Sequence, residues 1–354
     1  MYKIHKIAYI NKNGLFTLYI LIDIVMPYKI TGGMRLKSCD LRKKKRLGNK
    51  GISKWKWILY LKGNYDLYLF LLPAIIIIFI FSYLPIYGVV LAFKDYSVSK
   101  GILGSTWVGW KHFNRFFSSA YFPVLMKNTL MLSLYSLVVG FPFPIILALL
   151  LNAIKAKHFK KTVQMVTYAP NFISTVVMCG MIILFLSPRT GMVNKILGLF
   201  GKSPINFMAY ASVFPHIYVW SGIWQNAGWN SVIYFAALSG ISPELHEAAM
   251  IDGASRMQRI FHIDLPGIMP TAIILLILNM GSIMSVGYEK VYLLQNNTNI
   301  ASSEIIATYV YKMGILNNDI SFSTAVGLFN SVINLILLII VNSVSGKLSE
   351  NSLW

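Results

Sequence analysis

Charged residues are scarce in this chain of 354 residues, and acidic residues are the scarcest. Charged residues make up 12% of the chain, and 12 Asp and Glu stand against 32 Lys and Arg. Soluble domains carry about 25% charged residues. Because 56% of the residues are also hydrophobic, the composition excludes an ordinary soluble protein and predicts an all-α integral membrane protein.

Cysteine is nearly absent as well. The two thiols, Cys39 and Cys179, lie in a basic segment and in an apolar run far along the chain. Two cysteines so placed predict neither a disulfide framework nor a metal cluster.

Complete enzyme motifs are also lacking. The GKS at 201–203 ends like a phosphate-binding P-loop, but Ile196 occupies the position of its first glycine. The HE at 246–247 begins a zinc-protease motif, but Met250 replaces the second histidine. The sequence therefore predicts no catalytic residue, no metal site and no nucleotide-hydrolysing site in this chain.

Long uncharged runs are what the sequence has in abundance. Each of six runs reaches the roughly 20 residues that a spanning helix needs. The fourth is too long for one span, so we predict a helix at about 212–240 within it. The sequence thus predicts six transmembrane helices in a domain covering 66–347. The six runs are 67–93, 128–154, 162–188, 203–243, 265–288 and 320–346.

Basic residues set the expected orientation. Of the 32 Lys and Arg, 22 lie in the two terminal regions and in the second and fourth connections between runs. The positive-inside rule therefore predicts that both termini and the segment 241–270 are cytoplasmic. The last residues, 348–354, are expected to form a short cytoplasmic tail.

The region before the first run divides into two parts. Within residues 1–33, the apolar stretch 14–28 is interrupted by Asp23 and is short for a span. We interpret residues 1–33 as an extension ahead of a true start at Met34. Residues 34–65 contain the basic run 41–46 and alternating Trp and Lys residues. Despite the net charge of +20, this pattern predicts contact with membrane lipid at the cytoplasmic surface and no nucleic-acid partner.

Asp, Glu, Lys and Arg are missing from all six runs, which argues against a proton- or sodium-coupled carrier. Amides, hydroxyls and aromatic rings are present instead, and several recur every four residues on one helical face. Such residues suit a neutral polyhydroxylated solute such as a sugar. The alternative is that they hold helices together or mark the membrane interface. The predicted path residues are Asn226, Trp229, Asn230, Tyr234, Asn279 and Ser282.

The segment 241–270, here called the coupling segment, is polar and lies between two apolar runs. Ser242 is expected to cap a short helix, and Gly253 allows a sharp turn after it. A second helix is predicted over 255–263. Together these features predict a cytoplasmic helix-turn-helix. Two prolines are expected to redirect the chain into the next run, Pro266 and Pro270.

The spacing E-A-A-x3-G-x9-I-x-L-P in the coupling segment resembles the EAA loop in the permease subunits of ATP-binding-cassette (ABC) importers. The similarity covers the chain from about residue 64 to the C terminus, in stretches such as 67–97, 140–152 and 218–238. It is with the carbohydrate-uptake class, in the branch for oligosaccharides and polysaccharide fragments. The residues that the resemblance assigns to ATPase coupling are Glu247, Ala248, Ala249, Asp252, Gly253, Ile263, Leu265 and Pro266.

The resemblance implies an importer permease fold in the cell membrane that works by alternating access. It implies no cofactor on this chain, since a partner uses ATP and Mg²⁺. The implied partners are a second permease subunit, an ATPase dimer and an extracellular solute-binding protein. Two alternatives stay open from the residues: a permease for peptides or another non-sugar solute, and a flippase or enzyme acting on lipid-linked sugars.

Overall fold

The computed structural model describes residues 65–348. Predictions for the N-terminal extension, the basic segment before residue 65 and the tail after residue 348 lie outside the described residues. The chain divides between Ser82 and Tyr83 into two units. The first unit contains α1 (Tyr65–Ile78) and the first four residues of a π-helical turn, Phe79–Tyr83.

The second unit is almost entirely helical. A 3-10 helix over Leu84–Phe93 leads into a small hairpin of β1 (Lys94–Asp95) and β2 (Thr106–Trp107), which pair antiparallel. Short 3-10 turns cover Ala169–Phe172 and Phe207–Ala209, and π turns cover Ile260–Asp264 and Lys312–Leu316. The helices in chain order are α2 (Gly101–Gly104), α3 (Lys111–Phe117), α4 (Tyr121–Gly140), α5 (Pro142–Ala153), α6 (Lys157–Tyr168), α7 (Thr175–Phe185), α8 (Met192–Leu199), α9 (Phe214–Ser239), α10 (Pro243–Ile251), α11 (Arg256–Arg259), α12 (Leu265–Met280), α13 (Tyr288–Leu294), α14 (Ile300–Ser303), α15 (Ile306–Tyr311) and α16 (Ile320–Leu348).

Within the described residues, four helical stretches are long and apolar enough to cross a membrane, against the six predicted spans. A fifth is counted if the bent pair Lys157–Phe172 and Thr175–Phe185 is one span. The helix α9 has the length of a span, 26 residues, but its His216, Gln225 and Asn side chains make it less apolar. The four stretches are Tyr68–Phe93, Tyr121–Ala153, Arg256–Met280 and Ile320–Lys347.

The third predicted span, 162–188, is not one straight helix. The chain bends by 101° between α6 and α7. Pro170 lies at the bend and cannot donate a backbone hydrogen bond, while Ser174 caps the start of α7 with its side chain. The bend is fixed to α9, because Gln225 Nε2 donates to Ile173 O at 3.0 Å.

The helix α9 organises the second unit, since it packs against α4, α5, α6 and α12. Its closest approach is to α6: a methyl group at Gly228 would lie 2.0 Å from Thr167 O. On another side, Tyr234 and Leu238 of α9 form a buried cluster with residues of α5 and α12, among them Ile268. This packing holds α9 in a fixed orientation between its neighbours.

The coupling segment begins as predicted. Ser242 Oγ accepts a hydrogen bond from Glu244 N at 3.3 Å and caps α10. Gly253 has φ +78°, the left-handed conformation that favours glycine. Ser255 and Gln258 then form a capping box at the start of α11.

The predicted redirection of the chain by two prolines is wrong. Arg256–Met280 is one helical stretch of 25 residues that includes α11, a π turn and α12. Pro266 directly follows the π turn Ile260–Asp264, where the hydrogen-bonding pattern of the helix already changes, and Pro270 lies inside α12. The coupling segment is therefore continuous with the apolar helix that follows it.

Candidate functional site

A cavity of about 740 Å³, here called the α9 cavity, lies along one face of α9. Its other walls come from α4, α5, α12 and the chain that follows α12. Ligand sites in proteins occupy roughly 300–1,000 Å³. The cavity is thus large enough for a solute of several rings or for part of a longer chain.

All six predicted path residues line this one cavity. The side chains of Asn226, Asn230 and Asn279 are exposed to it, and Trp229 is 50% exposed. Tyr234 is only 3% exposed and belongs to the packed wall. The structure therefore brings residues of the fourth and fifth predicted spans to one cavity, as expected if both spans line one path.

The polar side chains on α9 differ in how many hydrogen bonds they already make within the protein. Asn226 Nδ2 donates to Gly222 O at 3.0 Å, and its Oδ1 accepts from Asn171 at 3.2 Å. The side chain of Asn230 makes no hydrogen bond to any other described residue, and the residue is exposed. Trp229 packs edge-on against Phe172, with ring centroids 5.7 Å apart, so its ring is held in place. Of the two Asn side chains, Asn230 is the one available to a solute.

A second polar line, formed by Asn279, Ser282 and Ser285, lies in the fifth predicted span, 265–288. That span was expected to be one helix, but α12 ends at Met280, and Ser282 and Ser285 lie in the turns beyond it. Asn279 Nδ2 donates to Leu275 O at 2.9 Å, and Ser282 Oγ donates to Asn279 O at 3.2 Å. The line still faces the α9 cavity, although its residues follow a turn rather than a helical face.

Sequence analysis did not identify Lys290, which lies just beyond the fifth run, as a site residue. The structure buries Lys290 in the wall of the α9 cavity, with 9% of the residue exposed. Burial lowers the pKa of its ammonium group to about 8. The sequence held one signal for it: Lys290 lies two residues beyond the fifth apolar run, whose last turns contain the polar residues Ser282 and Ser285.

The coupling segment presents a different kind of surface. Glu247, Ala248, Asp252 and Gly253 are exposed, and Ala249 is half-buried. Ile263 and Leu265 are half-buried at the base of α12, whereas Pro266 is exposed. Large apolar side chains accompany the exposed carboxylates, which is typical of a protein-binding surface. The exposed apolar residues are Leu245, Met250, Ile251, Met257 and Phe261.

Buried Asp264 joins the coupling segment to the helices above it. His246 Nε2 on α10 lies 3.3 Å from Asp264 Oδ1, at the base of α12. The same oxygen accepts from Asn152 Nδ2, at the end of α5, at 3.5 Å. The Asp264 side chain is 6% exposed, so the contact that links α10 to α12 and α5 is shielded from water.

No group of three or more His, Cys, Asp or Glu side chains in 65–348 is arranged to hold a metal ion. Cys179, predicted to be without a chemical role, is buried in a hydrophobic cluster with Leu132 and Phe214.

Residues 128–350 match the family described as "Binding-protein-dependent transport system inner membrane component". The chain belongs to this family. It is a membrane-embedded permease subunit and not an enzyme, because in such ABC transporters a partner ATPase hydrolyses ATP.

Individual relatives extend the similarity beyond those residues. The polygalacturonan/rhamnogalacturonan transport system permease protein YteP of Bacillus subtilis (strain 168) is 43% identical over 288 residues, covering 81% of this chain and 90% of the relative. A chain of a bacterial ABC transporter that imports the acidic polysaccharide alginate superposes with a TM-score of 0.77 at 39% identity. That match covers 83% of this chain and 99% of the other.

A second structure of a bacterial alginate ABC transporter contains an alginate pentasaccharide-bound periplasmic protein. Its matching chain superposes with a TM-score of 0.76 at 39% identity and covers 83% of this chain and 98% of the other. The permease fold of this family is therefore the fold of the present chain.

Proposed function

We propose that the chain translocates oligosaccharides or polysaccharide fragments across the cell membrane as the permease subunit of an ABC sugar importer. The observation that carries the proposal is the α9 cavity, in which a half-exposed tryptophan, an unbonded amide and several hydroxyls meet. Sugar rings pack their C–H faces on aromatic rings, and their hydroxyls bond to amides. The cavity provides both kinds of contact.

The relatives support a sugar solute over the two alternatives. YteP is described as a polygalacturonan/rhamnogalacturonan permease, and the structural neighbours belong to alginate transporters. This chain is 43% and 39% identical to them over most of its length. These relatives favour a sugar importer over a peptide permease, and they favour a transport subunit over an enzyme of lipid-linked sugars.

Transport proceeds by alternating access, driven from the coupling segment. ATP binding closes a dimer of partner ATPases, which bears on the exposed surface around Glu247 and Gly253. The contact between His246 and Asp264 passes the movement to α12 and α5. Since α12 and α9 both line the α9 cavity, their relative movement exposes the cavity first outside and then inside the cell.

The assembly contains a second permease subunit and an extracellular solute-binding protein. Six helices cross the membrane when the bent pair counts as one span and α9 is the sixth. Three of the polar side chains that make α9 less apolar, Gln225, Asn226 and Asn230, line the α9 cavity, so they face protein or solute instead of lipid. Both termini and the coupling segment are then cytoplasmic, where the ATPase is found.

The test compares two glycine substitutions in cells that carry the partner proteins. Gly253→Val and Gly101→Val introduce a β-branched residue at φ +78° and φ +65°, each with no other atom within 4 Å. Both changes cost about 1–2 kcal/mol of backbone strain. We expect only Gly253→Val to abolish oligosaccharide uptake and to lose the ATPase on affinity purification in mild detergent.

Mass spectrometry of the wild-type purification identifies the partners. Recovery of a second permease and an ABC ATPase is the expected result. Loss of uptake by both variants to the same degree would show that strain alone is responsible. A wild-type chain purified without any ATPase, while still folded, would contradict the proposed function.

A further inference from the structure

Among the described residues that line the α9 cavity, Lys290 is the one that carries a charge. The other lining residues are apolar, aromatic, amide or hydroxyl side chains and glycines. A cavity with this lining carries one positive charge when Lys290 is protonated. A neutral solute, as the sequence predicted, does not need that charge.

The contacts of Lys290 do not explain its burial as a structural ion pair. Among the described residues no carboxylate forms an ion pair with it, and its neighbour Glu289 is exposed. Its Nζ donates to Tyr218 O at 3.0 Å and lies 4.9 Å from the centre of the Tyr218 ring. Because an ammonium group has three donors, two remain for another partner.

The Tyr218 carbonyl does not depend on Lys290 either. Ser221 Oγ also donates to Tyr218 O, at 3.2 Å. Space around the ammonium group is kept open by Gly222, where a methyl group would lie 3.3 Å from Nζ. A buried cation without a counter-charge destabilises a protein, so its presence in a ligand cavity points to a counter-charge on the ligand.

We propose that the α9 cavity takes an oligosaccharide that carries carboxylate groups, one built from uronate residues, and that Lys290 binds one of these carboxylates. The inference rests on the proposed sugar-import function and names its substrate class. A single ammonium group matches the single charge of a carboxylate, whereas a phosphate dianion would stay half neutralised. Trp229 contacts the sugar ring and Asn230 bonds to its hydroxyls. Lys290 favours an acidic sugar over a neutral one.

The test uses proteoliposomes that contain the whole transporter with its binding protein. The probes are oligogalacturonides of three to five units and the same oligomers with every carboxyl methyl-esterified, which removes the charge at nearly constant shape. Lys290→Gln removes the cation, and Lys290→Arg keeps it. For Lys290→Gln we expect acidic uptake to fall at least about tenfold and ester uptake to change less than about twofold, in line with loss of a charge-assisted hydrogen bond.

A second measurement does not depend on the specificity of the binding protein. The purified permease pair is heated with each probe at millimolar concentration. The acidic oligomer should raise the unfolding temperature of the wild type and of Lys290→Arg, but not that of Lys290→Gln. Without ligand, Lys290→Gln should unfold at a temperature no lower than the wild type, whereas a structural lysine would leave it less stable.

The outcomes separate this inference from the proposed function. If Lys290→Gln lowers uptake of both probes equally, or if the wild type takes up the ester as well as the acid, the inference is overturned and sugar import stands. If the wild type takes up no oligosaccharide while bound to its ATPase and binding protein, the proposed function falls as well.

Discussion

Two tryptophans on α9 provide a matched pair at the scale of single residues. Trp229 is 50% exposed and lines the α9 cavity, whereas Trp224 is 52% exposed and lies elsewhere on the helix, beside Met181 and Phe185. A ring contact contributes about 1 kcal/mol. We therefore expect Trp229→Ala to lower the efficiency of sugar uptake roughly fivefold to tenfold, and Trp224→Ala to leave it unchanged.

The measurement is initial uptake at several sugar concentrations, with recovery of the ATPase on purification as the control for assembly. Equal loss of uptake in the two variants would remove Trp229 from the path. It would leave the aromatic residues of α9 with a packing role only.

The charge of Lys290 predicts a dependence on pH. Burial lowers its pKa from 10.5 to about 8, so the group is charged below about pH 8 and neutral above it. Uptake of an acidic oligosaccharide should therefore fall as the pH rises through 8, relative to uptake of its methyl ester. Lys290→Arg should abolish this fall, because arginine stays charged. Other titratable groups on or near the packed elements are Cys179 on α7, Tyr218 on α9, Tyr311 on α15 and the adjacent Glu289.

The lowered pKa of Lys290 also makes the free energy of unfolding depend on pH. The unfolded chain holds the lysine proton up to about pH 10.5, whereas the folded protein releases it near pH 8. The charged form thus lowers the free energy of unfolding below pH 8, and this cost disappears as the pH rises.

A pH profile of acidic uptake that runs parallel to that of the ester would contradict the assignment of Lys290.

At the scale of elements, buried Asp264 connects α10 of the coupling segment to the membrane helices α12 and α5. His246→Ala leaves a buried carboxylate with one weak partner, which costs about 1–3 kcal/mol. We expect this variant to bind the ATPase but to transport at least about tenfold more slowly, since α10 no longer moves α12 with it. His262→Ala is the control, because His262 is exposed and bonds only to Gln258 O within its own helix.

ATPase activity of the assembled complex distinguishes loss of coupling from loss of assembly. The expected result for His246→Ala is continued ATP hydrolysis with little sugar movement. Full transport by that variant would show that the contact between α10 and α12 is not needed for coupling.

Close packing of α6 on α9 predicts a second effect on whole elements. Gly228→Ala would place a methyl group 2.0 Å from Thr167 O, which cannot move without shifting α6. We expect this variant to unfold at a lower temperature, by the equivalent of about 1–3 kcal/mol for an overpacked site. Gly180→Ala in α7 has no other atom within 4 Å and should leave stability unchanged or slightly raised.

Thermal unfolding of the purified permease, followed by fluorescence, measures both variants. An unchanged transition for Gly228→Ala would mean that α6 can withdraw from α9 without cost. In that case the bend between α6 and α7 would not be fixed by its contacts with α9.

For the whole molecule, the orientation in the membrane can be tested with two cysteines. Asn297→Cys and Met257→Cys are exposed positions that we place outside and inside the cell. With Cys39→Ser as the background, a membrane-impermeant maleimide should label only position 297 in intact cells and both positions after permeabilisation. Labelling of position 257 in intact cells would place the coupling segment on the wrong side for an ATPase.

Much of the architecture follows from local sequence. The cap at Ser242 and the turn at Gly253 were predicted because capping and left-handed turns depend on a few adjacent residues. The helix α9 was predicted at about 212–240 and spans Phe214–Ser239, since the length of an apolar run sets the length of a span. The family assignment was also readable, because the spacing of the EAA motif is local.

Features that depend on distant contacts were not readable. The bend of 101° between α6 and α7 depends on Gln225 of α9, which is 52 residues from its partner Ile173. The continuity of the helix through Pro266 and Pro270 was missed, because a proline can end a helix or be accommodated within it, as Pro266 is beside the π turn Ile260–Asp264. In both cases the residue type alone allowed more than one structure.

The sequence by itself determined that this protein is a helical membrane permease with a polar coupling segment, because hydrophobic length, charge asymmetry and motif spacing are properties of a linear chain. Only the tertiary structure decided that the six path residues share one cavity and that Lys290 joins them. A charge two residues beyond an apolar run can face water or the protein interior, and packing of α13 against α7 and α15 is what placed this one in the wall of a binding cavity.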